Sequence, residues 1–417
     1  MNKNDSERIA GLLASLGFVE TAEEAIADVV IVNTCSVRQS AEDRLFGAQE
    51  KYLGYKKQKP DMIVAMTGCM PGRDKQGELR KRLPAVDLYF PTSEMVHLPK
   101  WIVELRPDLA NSASLEDDYL KIHQLRVRSS QQYVTIQTGC NQYCTYCVVP
   151  YARGLERHRP TQDILEECRA LVENGVVEIT LLGQTVNSYV SPDRHGYSFA
   201  NLLEELNGLD GLERLHWTAA HPNDMTDDVI AALALPKQIN YIHLPAQSGC
   251  NEVLRRMNRK YTREQYLEKI AKIKAVRPGI ALGTDLIVGF SGETSAQFEE
   301  PLSFYREADF DISYNAQYSP RSGTLAAKLY QDDVSKEEKR ERWDELQRLM
   351  EEVTLKKNRA LIGQTTSVLV EKMDRDMANG HSSEMKSTRF PCTDGSLIGR
   401  VVPVRITGAQ TWMLLGA

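Results

Sequence analysis

YVTIQTGCNQYCTYCVVPYARG (Tyr133–Gly154) decides how this chain is read. Its first six residues, YVTIQT, have the β-branched, alternating character of a strand. The loop that follows carries Cys140, Cys144 and Cys147, spaced C-x3-C-x2-C, with no further Cys in the next twenty residues. A closed structural zinc site takes four ligands. Three soft thiolates on one loop suit a cubane iron–sulfur cluster, with three irons held by the protein and the fourth left open. An open iron can bind a small molecule and pass it an electron. The competing reading is a zinc site completed by a distant Cys or His.

Working outward, strand and helix patterns alternate along most of the chain. DVVIVNT (Asp28–Thr34), MIVAMTG (Met62–Gly68) and VDLYF (Val86–Phe90) read as buried parallel strands, separated by SERIAGLLASLG and QSAEDRLFGAQEKYLGY. They predict a small N-terminal α/β domain over residues 1–115. RPDLANSASLEDD, Arg106–Asp118, is polar and periodless and suits a linker.

A second series runs through Tyr133–Thr138, Val177–Gly183, Arg214–Ala219, Tyr241–Pro245, Ala281–Phe290 and Ile312–Ser319. Repeated strand–helix units predict a parallel sheet, closed or partly closed as a (β/α) barrel, over residues 126–355. In TQDILEECRALVENG, Thr161 reads as an N-cap and Gly175 as a C-cap. Chemistry in such barrels sits at the carboxyl ends of strands, and the cysteine loop follows the first strand of the series. In the charged helix SKEEKRERWDELQRLMEEVTLKKNRALIG, Leu346, Leu349, Met350 and Val353 form one core-facing stripe. Residues 356–417 contain period-two runs broken by Gly, Asp and Asn, as in a small β-barrel.

Composition narrows the function classes. The 417 residues are 42% hydrophobic and 26% charged with net charge −6, so a nucleic-acid partner must be met by a local basic surface. Arg153, Arg157, His158 and Arg159 cluster just after the cysteine loop, where Arg153 and Arg157 are candidates for phosphate contact. Lys356, Lys357, Arg359, Lys386, Arg389, Arg400 and Arg405 supply positive charge to the tail. The N-terminus lacks the apolar core of a signal peptide, and no run approaches the roughly 18 apolar residues of a membrane span. A cytoplasmic protein is expected, with its eight cysteines serving as ligands or reactive groups before disulfides.

CTYCVVPYARGLERHRP, LLGQTVNSY (Leu181–Tyr189), HLPAQSGCNEVLRRMNRKYT (His243–Thr262), TDLIVGFSGET (Thr284–Thr294) and YSPRSGT (Tyr318–Thr324) together resemble the radical S-adenosylmethionine methylthiotransferases over essentially the whole chain. The resemblance implies an N-terminal cluster domain, a partial (β/α) barrel of radical SAM type and a C-terminal all-β TRAM barrel that binds RNA. It implies two 4Fe–4S clusters, S-adenosylmethionine, a reducing electron donor and, as substrate, tRNA. Among the family's branches, GQTVNSY and HLPAQSG are most similar to the one that thiomethylates C2 of N6-isopentenyladenosine beside the anticodon. Branches acting on threonylcarbamoyladenosine in tRNA or on a ribosomal protein are the alternatives. A monomer is expected.

The same resemblance assigns residues. Cys140, Cys144 and Cys147 hold the catalytic cluster. Gln247, Ser248, Asp285 and Glu293 lie where related enzymes hold S-adenosylmethionine, and Gln184, Asn187 and Tyr189, at the end of the second barrel strand, form a lip for cofactor (Gln184) or substrate (Asn187 and Tyr189). Gly289 and Gly292 permit close backbone approach. Cys35 in NTCSVR and Cys69 in TGCMPGR, each after a predicted strand, become ligands of an auxiliary cluster. The family's third ligand there lies in a GCQMN-type motif just upstream of a DSE stretch. This chain begins MNKNDSERIAG, so Met1 matches the Met of that motif and the Cys two places earlier is not in the sequence. The expectation is either a start upstream of Met1 or an auxiliary cluster one protein ligand short. Cys168, Cys250 and Cys392 carry no expected role.

Overall fold

The computed structural model describes residues 1–35, 39–109, 120, 122 and 129–417. Most of the expected linker, together with the domain boundaries at 115 and 126, lies outside the described residues. The chain divides into two compact units. The first comprises residues 1–128, 138–157 and 321–324; the second comprises 129–137, 158–320 and 325–417.

In the first unit, β1 (Val29–Thr34), β2 (Ile63–Gly68) and β3 (Leu88–Tyr89) form a parallel sheet in that order. All six residues of β2 are buried, because the central strand is covered on both faces. Its alternation divides them: Ile63 and Ala65 join a core with Ile9, Leu12, Phe90 and Ile102, whereas Val64 and Met66 join Val30, Tyr52 and Leu83.

The second unit begins with β4 (Gln131–Thr135). Two-residue strands, β5 (Gln137–Thr138) and β6 (Arg157–His158), flank the cysteine loop in sequence. Then come β7 (Glu178–Leu182), β8 (Arg214–Trp217), β9 (Tyr241–His243), β10 (Ala281–Val288) and β11 (Ile312–Gln317). β4-β7-β8 and β11-β10-β9 are each parallel sheets. Leu215 joins them, donating to the Lys237 carbonyl at 2.6 Å and accepting from Ile239 N–H at 3.1 Å. The six strands thus make one parallel array around a core that includes Ile179, Leu181, Leu282, Leu286, Phe304 and Phe310. Leu346, Leu349 and Met350 pack into it, with Val353 against its edge.

Most expected strands appear within one or two residues of their limits. Thr161 differs from expectation. It is the first helical residue, not the cap, and the Asp193 carboxylate accepts from the N–H groups of Thr161 (2.7 Å) and Gln162 (3.1 Å). The helix Lys336–Ala360 runs through the expected boundary at 355/356 without interruption.

β12 (Thr365–Asp374), β13 (Met377–Ser382), β14 (Ser387–Pro391), β15 (Val401–Ala409) and β16 (Leu414–Gly416) close a five-stranded barrel in the order β12-β13-β14-β16-β15. Val368, Val370, Phe390, Val404, Ile406 and Leu414 fill it. Closure leaves no free strand edge. No helix among the described residues is long and apolar enough to cross a membrane.

A buried ionic junction fastens this barrel to the parallel array. Glu178, fully buried at the start of β7, accepts from His381 Nε2 at 3.1 Å and forms an ion pair with Arg214, whose Nε lies 3.0 Å away. Arg214 also donates to the carbonyls of His381 (3.2 Å) and Ser382 (2.8 Å). Burial pulls the His381 imidazole down, but its hydrogen bonds to Glu178 and Glu371 prevail and raise it to about 9. A histidine raised from 6.5 in the unfolded chain contributes fully below that pH and loses its contribution as pH climbs through about 9. The stability difference between the wild type and His381→Gln, followed by thermal unfolding, should therefore shrink by on the order of 2 kcal/mol between neutral pH and pH above about 9. A difference independent of pH would mean that His381 is not held as a cation.

Candidate active site

Residues 138–154 form a loop built to present thiols. Gly139 has φ +75°, and a Cβ there would lie 2.0 Å from the Leu155 carbonyl oxygen, so only glycine fits. The Cys140 N–H donates to the Gly154 carbonyl at 3.3 Å, and the Cys147 N–H donates to that of Cys144 at 3.0 Å. Two backbone N–H groups point at sulfur: Gln142 at Cys140 Sγ and Val149 at Cys147 Sγ, both at 3.5 Å. Cys140 and Cys144 are buried and Cys147 half-buried, and none of the eight cysteines forms a disulfide.

This donor set fits a cubane. No three His, Cys, Asp or Glu side chains among the described residues converge on a point where one metal ion could sit. A cubane asks for no such point, since each thiolate takes its own iron.

The register of the first sheet places the other two candidate ligands. Thr34 on β1 pairs with Gly68 on β2, so Cys35 and Cys69 follow at adjacent strand ends, whose backbones are separated by about 5 Å. Cys69 opens the short helix Cys69–Arg73. Within the same unit that helix meets the helix Val149–Arg153, where a Cβ on Gly72 would lie 2.1 Å from the Ala152 carbonyl oxygen. All five candidate cysteine ligands therefore belong to one compact unit.

Arg153 does not offer its charge to a phosphate. Its side chain is 4% exposed and forms a 2.6 Å ion pair with Asp5, because a buried guanidinium needs a counter-charge. Arg157 is exposed. Sequence reading passed over a second buried cation, Arg321, whose electrostatic neighbours include Glu42, Arg73 and Cys35. Glu42 pairs with Arg73 at 2.6 Å, and Arg73 also donates to the Ser322 carbonyl at 3.2 Å. The only sequence signal was an arginine in YSPRSGT, distant in the chain.

In the second unit, Gln184, Gln247, Ser248 and Glu293 lie beyond the carboxyl ends of strands, whereas Asp285 lies within β10. Gln184 follows β7, and its N–H donates to Gln137 Oε1 at 2.7 Å. Its own Oε1 is buried with no hydrogen-bond partner among the described residues. Gln247 adopts φ +70° and is bridged to β10, donating to the Asp285 carbonyl (2.8 Å) and accepting from Ile287 N–H (2.9 Å). Ser248 is buried, its hydroxyl accepting from Cys250 N–H. Asp285 Oδ1 lies 3.3 Å from His243 Nε2.

Glu293 is buried beyond β10. Burial raises its pKa despite Arg342, 3.2 Å from Oε2, and the Gly289 N–H, which donates to the same oxygen. Its Oε1 has no partner among the described residues.

Two of the expected lip residues are structural. Tyr189 is 1% exposed, its hydroxyl donating to the Arg159 carbonyl at 2.9 Å and bonded to Thr161 Oγ1 at 2.8 Å. Asn187 is 5% exposed and clamps His221, donating to its carbonyl (2.9 Å) and accepting from its N–H (2.8 Å). Both side chains are occupied by the loops they pin. In the tail, Lys357 pairs with Asp309 (2.5 Å) and Lys386 with Asp311 (3.2 Å), while Lys356, Arg359, Arg400 and Arg405 are exposed.

Comparison with known proteins places this arrangement. Residues 134–304 match the Radical SAM superfamily, and residues 1–91 match the Uncharacterized protein family UPF0004. The fold is similar to that of the radical S-adenosylmethionine methyltransferase TsrM from Kitasatospora setae with cobalamin and a 4Fe–4S cluster bound (TM-score 0.54, 15% identity, 72% of this chain and 65% of that one). The tRNA-2-methylthio-N(6)-dimethylallyladenosine synthase of Moorella thermoacetica is 42% identical over 425 residues, covering 100% of this chain and 95% of the relative. The proteins of the same name from Clostridium botulinum (strain Loch Maree / Type A3) and Geobacillus thermodenitrificans are each 41% identical, with 94% and 81% of their lengths covered. The chain belongs to the tRNA-2-methylthio-N(6)-dimethylallyladenosine synthase family of radical SAM proteins.

Proposed function

We propose that this enzyme adds a methylthio group to C2 of N6-isopentenyladenosine beside the anticodon of tRNA. The observation that carries the reading is the clustering of five cysteines in one unit: three on the glycine-closed loop and two at neighbouring strand ends. Similarity to the synthases over the full chain supports the substrate assignment.

Cys140, Cys144 and Cys147 would hold a 4Fe–4S cluster, and Cys35 and Cys69 an auxiliary one. When bound, the cluster and S-adenosylmethionine supply one-electron reductive cleavage and a radical that abstracts hydrogen. The chain's own part is placement and exclusion of water. The unpartnered oxygens of Gln184 and Glu293 are acceptors for the amino or ribose hydroxyl hydrogens of S-adenosylmethionine. Gln247, held by two backbone bonds to β10, and Asp285 take part beside them. Ser248 shapes the same turn through Cys250.

Arg157 and the exposed tail cations Lys356, Arg359, Arg400 and Arg405 are the groups for phosphates. In this reading residues 1–115 carry the auxiliary cluster, 126–355 the radical chemistry and 356–417 RNA binding. The enzyme works as a cytoplasmic monomer served by a reducing electron donor.

Two experiments test this. In a strain lacking the gene, mass spectrometry of tRNA nucleosides should show loss of the 2-methylthio product and accumulation of N6-isopentenyladenosine, restored by the wild type but not by Cys144→Ala. Retention of that product, with loss of a threonylcarbamoyladenosine derivative instead, would reject the substrate. Separately, anaerobically reconstituted protein with all three loop cysteines changed to Ala should bind about four fewer irons and make no 5′-deoxyadenosine. Cys35→Ala/Cys69→Ala should still cleave S-adenosylmethionine yet form no methylthiolated nucleoside. Methylthiolation by that double variant would remove Cys35 and Cys69 from the chemistry.

A further inference from the structure

A cavity of about 330 Å³ opens within the second unit, bounded by the parallel array, the helix Lys336–Ala360 and two turns of the C-terminal barrel. Period-two alternation sends Tyr241 and His243 of β9 to one face. With His216 and Tyr314 they form a chain of rings: His216–Tyr241 at 5.9 Å, Tyr241–His243 at 6.3 Å and His243–Tyr314 at 5.6 Å. Trp412 lines the same cavity from the turn between β15 and β16. Tyr314 and Trp412 are 55% and 54% exposed, unusual for rings of this size.

Asn358 supplies the polar feature. Its Nδ2 donates to the carbonyls of Gln410 (2.9 Å) and Thr411 (3.0 Å). Both partners can only accept, so the amide orientation is fixed and Oδ1 faces the other way. That oxygen belongs to a residue 2% exposed and has no partner among the described residues. A buried acceptor left so calls for a donor.

Charge narrows the ligand further. Lys386, also in the lining, is already paired with Asp311 at 3.2 Å. Burial pushes His216 down to about 4, which leaves its imidazole neutral at physiological pH. The lining therefore favours an uncharged planar group over a phosphate, and the volume lies at the small end for ligand sites.

None of Gln184, Gln247, Ser248 or Glu293 lines this space. Gly289, past the end of β10, lies about 13 Å along the strand from Asp285, which pairs with Tyr314. Among the candidate cofactor residues Asp285 alone borders it, 3.3 Å from Nε2 of the lining residue His243.

We propose that this cavity receives a second, unmodified base of the RNA substrate, one bearing an amino group, stacked by Tyr314 and Trp412 and hydrogen-bonded to Asn358 Oδ1. Unstacked bases of RNA loops are held in this way, by aromatic faces and edge contacts. The inference rests on the proposed RNA substrate.

The test is a double-mutant cycle between protein and RNA. Affinity of the full chain is measured for stem-loop RNAs carrying an abasic site at each loop position in turn, against wild type, Trp412→Ala and Tyr314→Leu. Both side chains are more than half exposed, and thermal melts check that the variants fold. One abasic position should weaken wild-type binding roughly tenfold and have no further effect in the variants. Strictly additive losses at every position overturn the RNA assignment.

A second arm titrates free adenosine and follows the emission difference between wild type and Trp412→Phe. Saturable quenching with additive abasic effects would make a free nucleoside the ligand; absence of quenching with additive effects rejects a base site altogether. Wild-type methylthiolation of the intact stem-loop is assayed in parallel, so failure of the pocket is separable from failure of the proposed activity.

Discussion

The closure of the thiol loop at Gly139, whose Cα faces the Leu155 carbonyl with no room for a side chain, is the contact on which the chemistry depends. It fixes both ends of a segment that must deliver three sulfurs at once, and the Cys140 N–H reinforces it through Gly154. Any larger residue at 139 would have to displace backbone, and the thiols would lose their common presentation. Backbone N–H groups of Gln142 and Val149 are aimed at the sulfurs of Cys140 and Cys147 and help to fix their positions.

Elsewhere the molecule spends buried charge to hold its parts in place. Glu178 with His381 and Arg214 ties the C-terminal barrel to the parallel array, and Arg153 with Asp5 ties the end of the thiol loop to the helix Asn2–Ser15. Breaking one side of such a pair strands the other charge away from water, which is why each joint is specific. Glu293 is different. Its carboxylate is only partly satisfied by Arg342 and Gly289, and the oxygen left over is what a ligand-binding group looks like without its ligand.

Much of this was legible in the sequence. Strand runs such as IVAMTG and EITLL announced themselves by continuous burial, and the thiol spacing announced the cluster. Register was not legible: nothing in NTCSVR or TGCMPGR says that Thr34 pairs with Gly68, yet that pairing alone sets Cys35 beside Cys69. Polar residues near strand ends were read as binding groups because composition cannot tell a ligand contact from an internal one. Tyr189 and Asn187 proved to be pins, since their partners, Arg159 and His221, are some thirty residues away in the chain. Arg153 misled for the same reason, with Asp5 as its remote counter-ion. The cavity beside Trp412 was invisible, because its walls come from six separate stretches of chain.

The central claim is that the loop thiols bind a cubane with one iron free of protein ligands. Mössbauer spectroscopy of ⁵⁷Fe-reconstituted Cys35→Ala/Cys69→Ala protein, with and without S-adenosylmethionine, addresses it directly. The account predicts that about a quarter of the cluster iron changes its signal when S-adenosylmethionine binds. A spectrum in which all iron stays equivalent, or a reconstituted protein that holds zinc in place of a cluster, would contradict it.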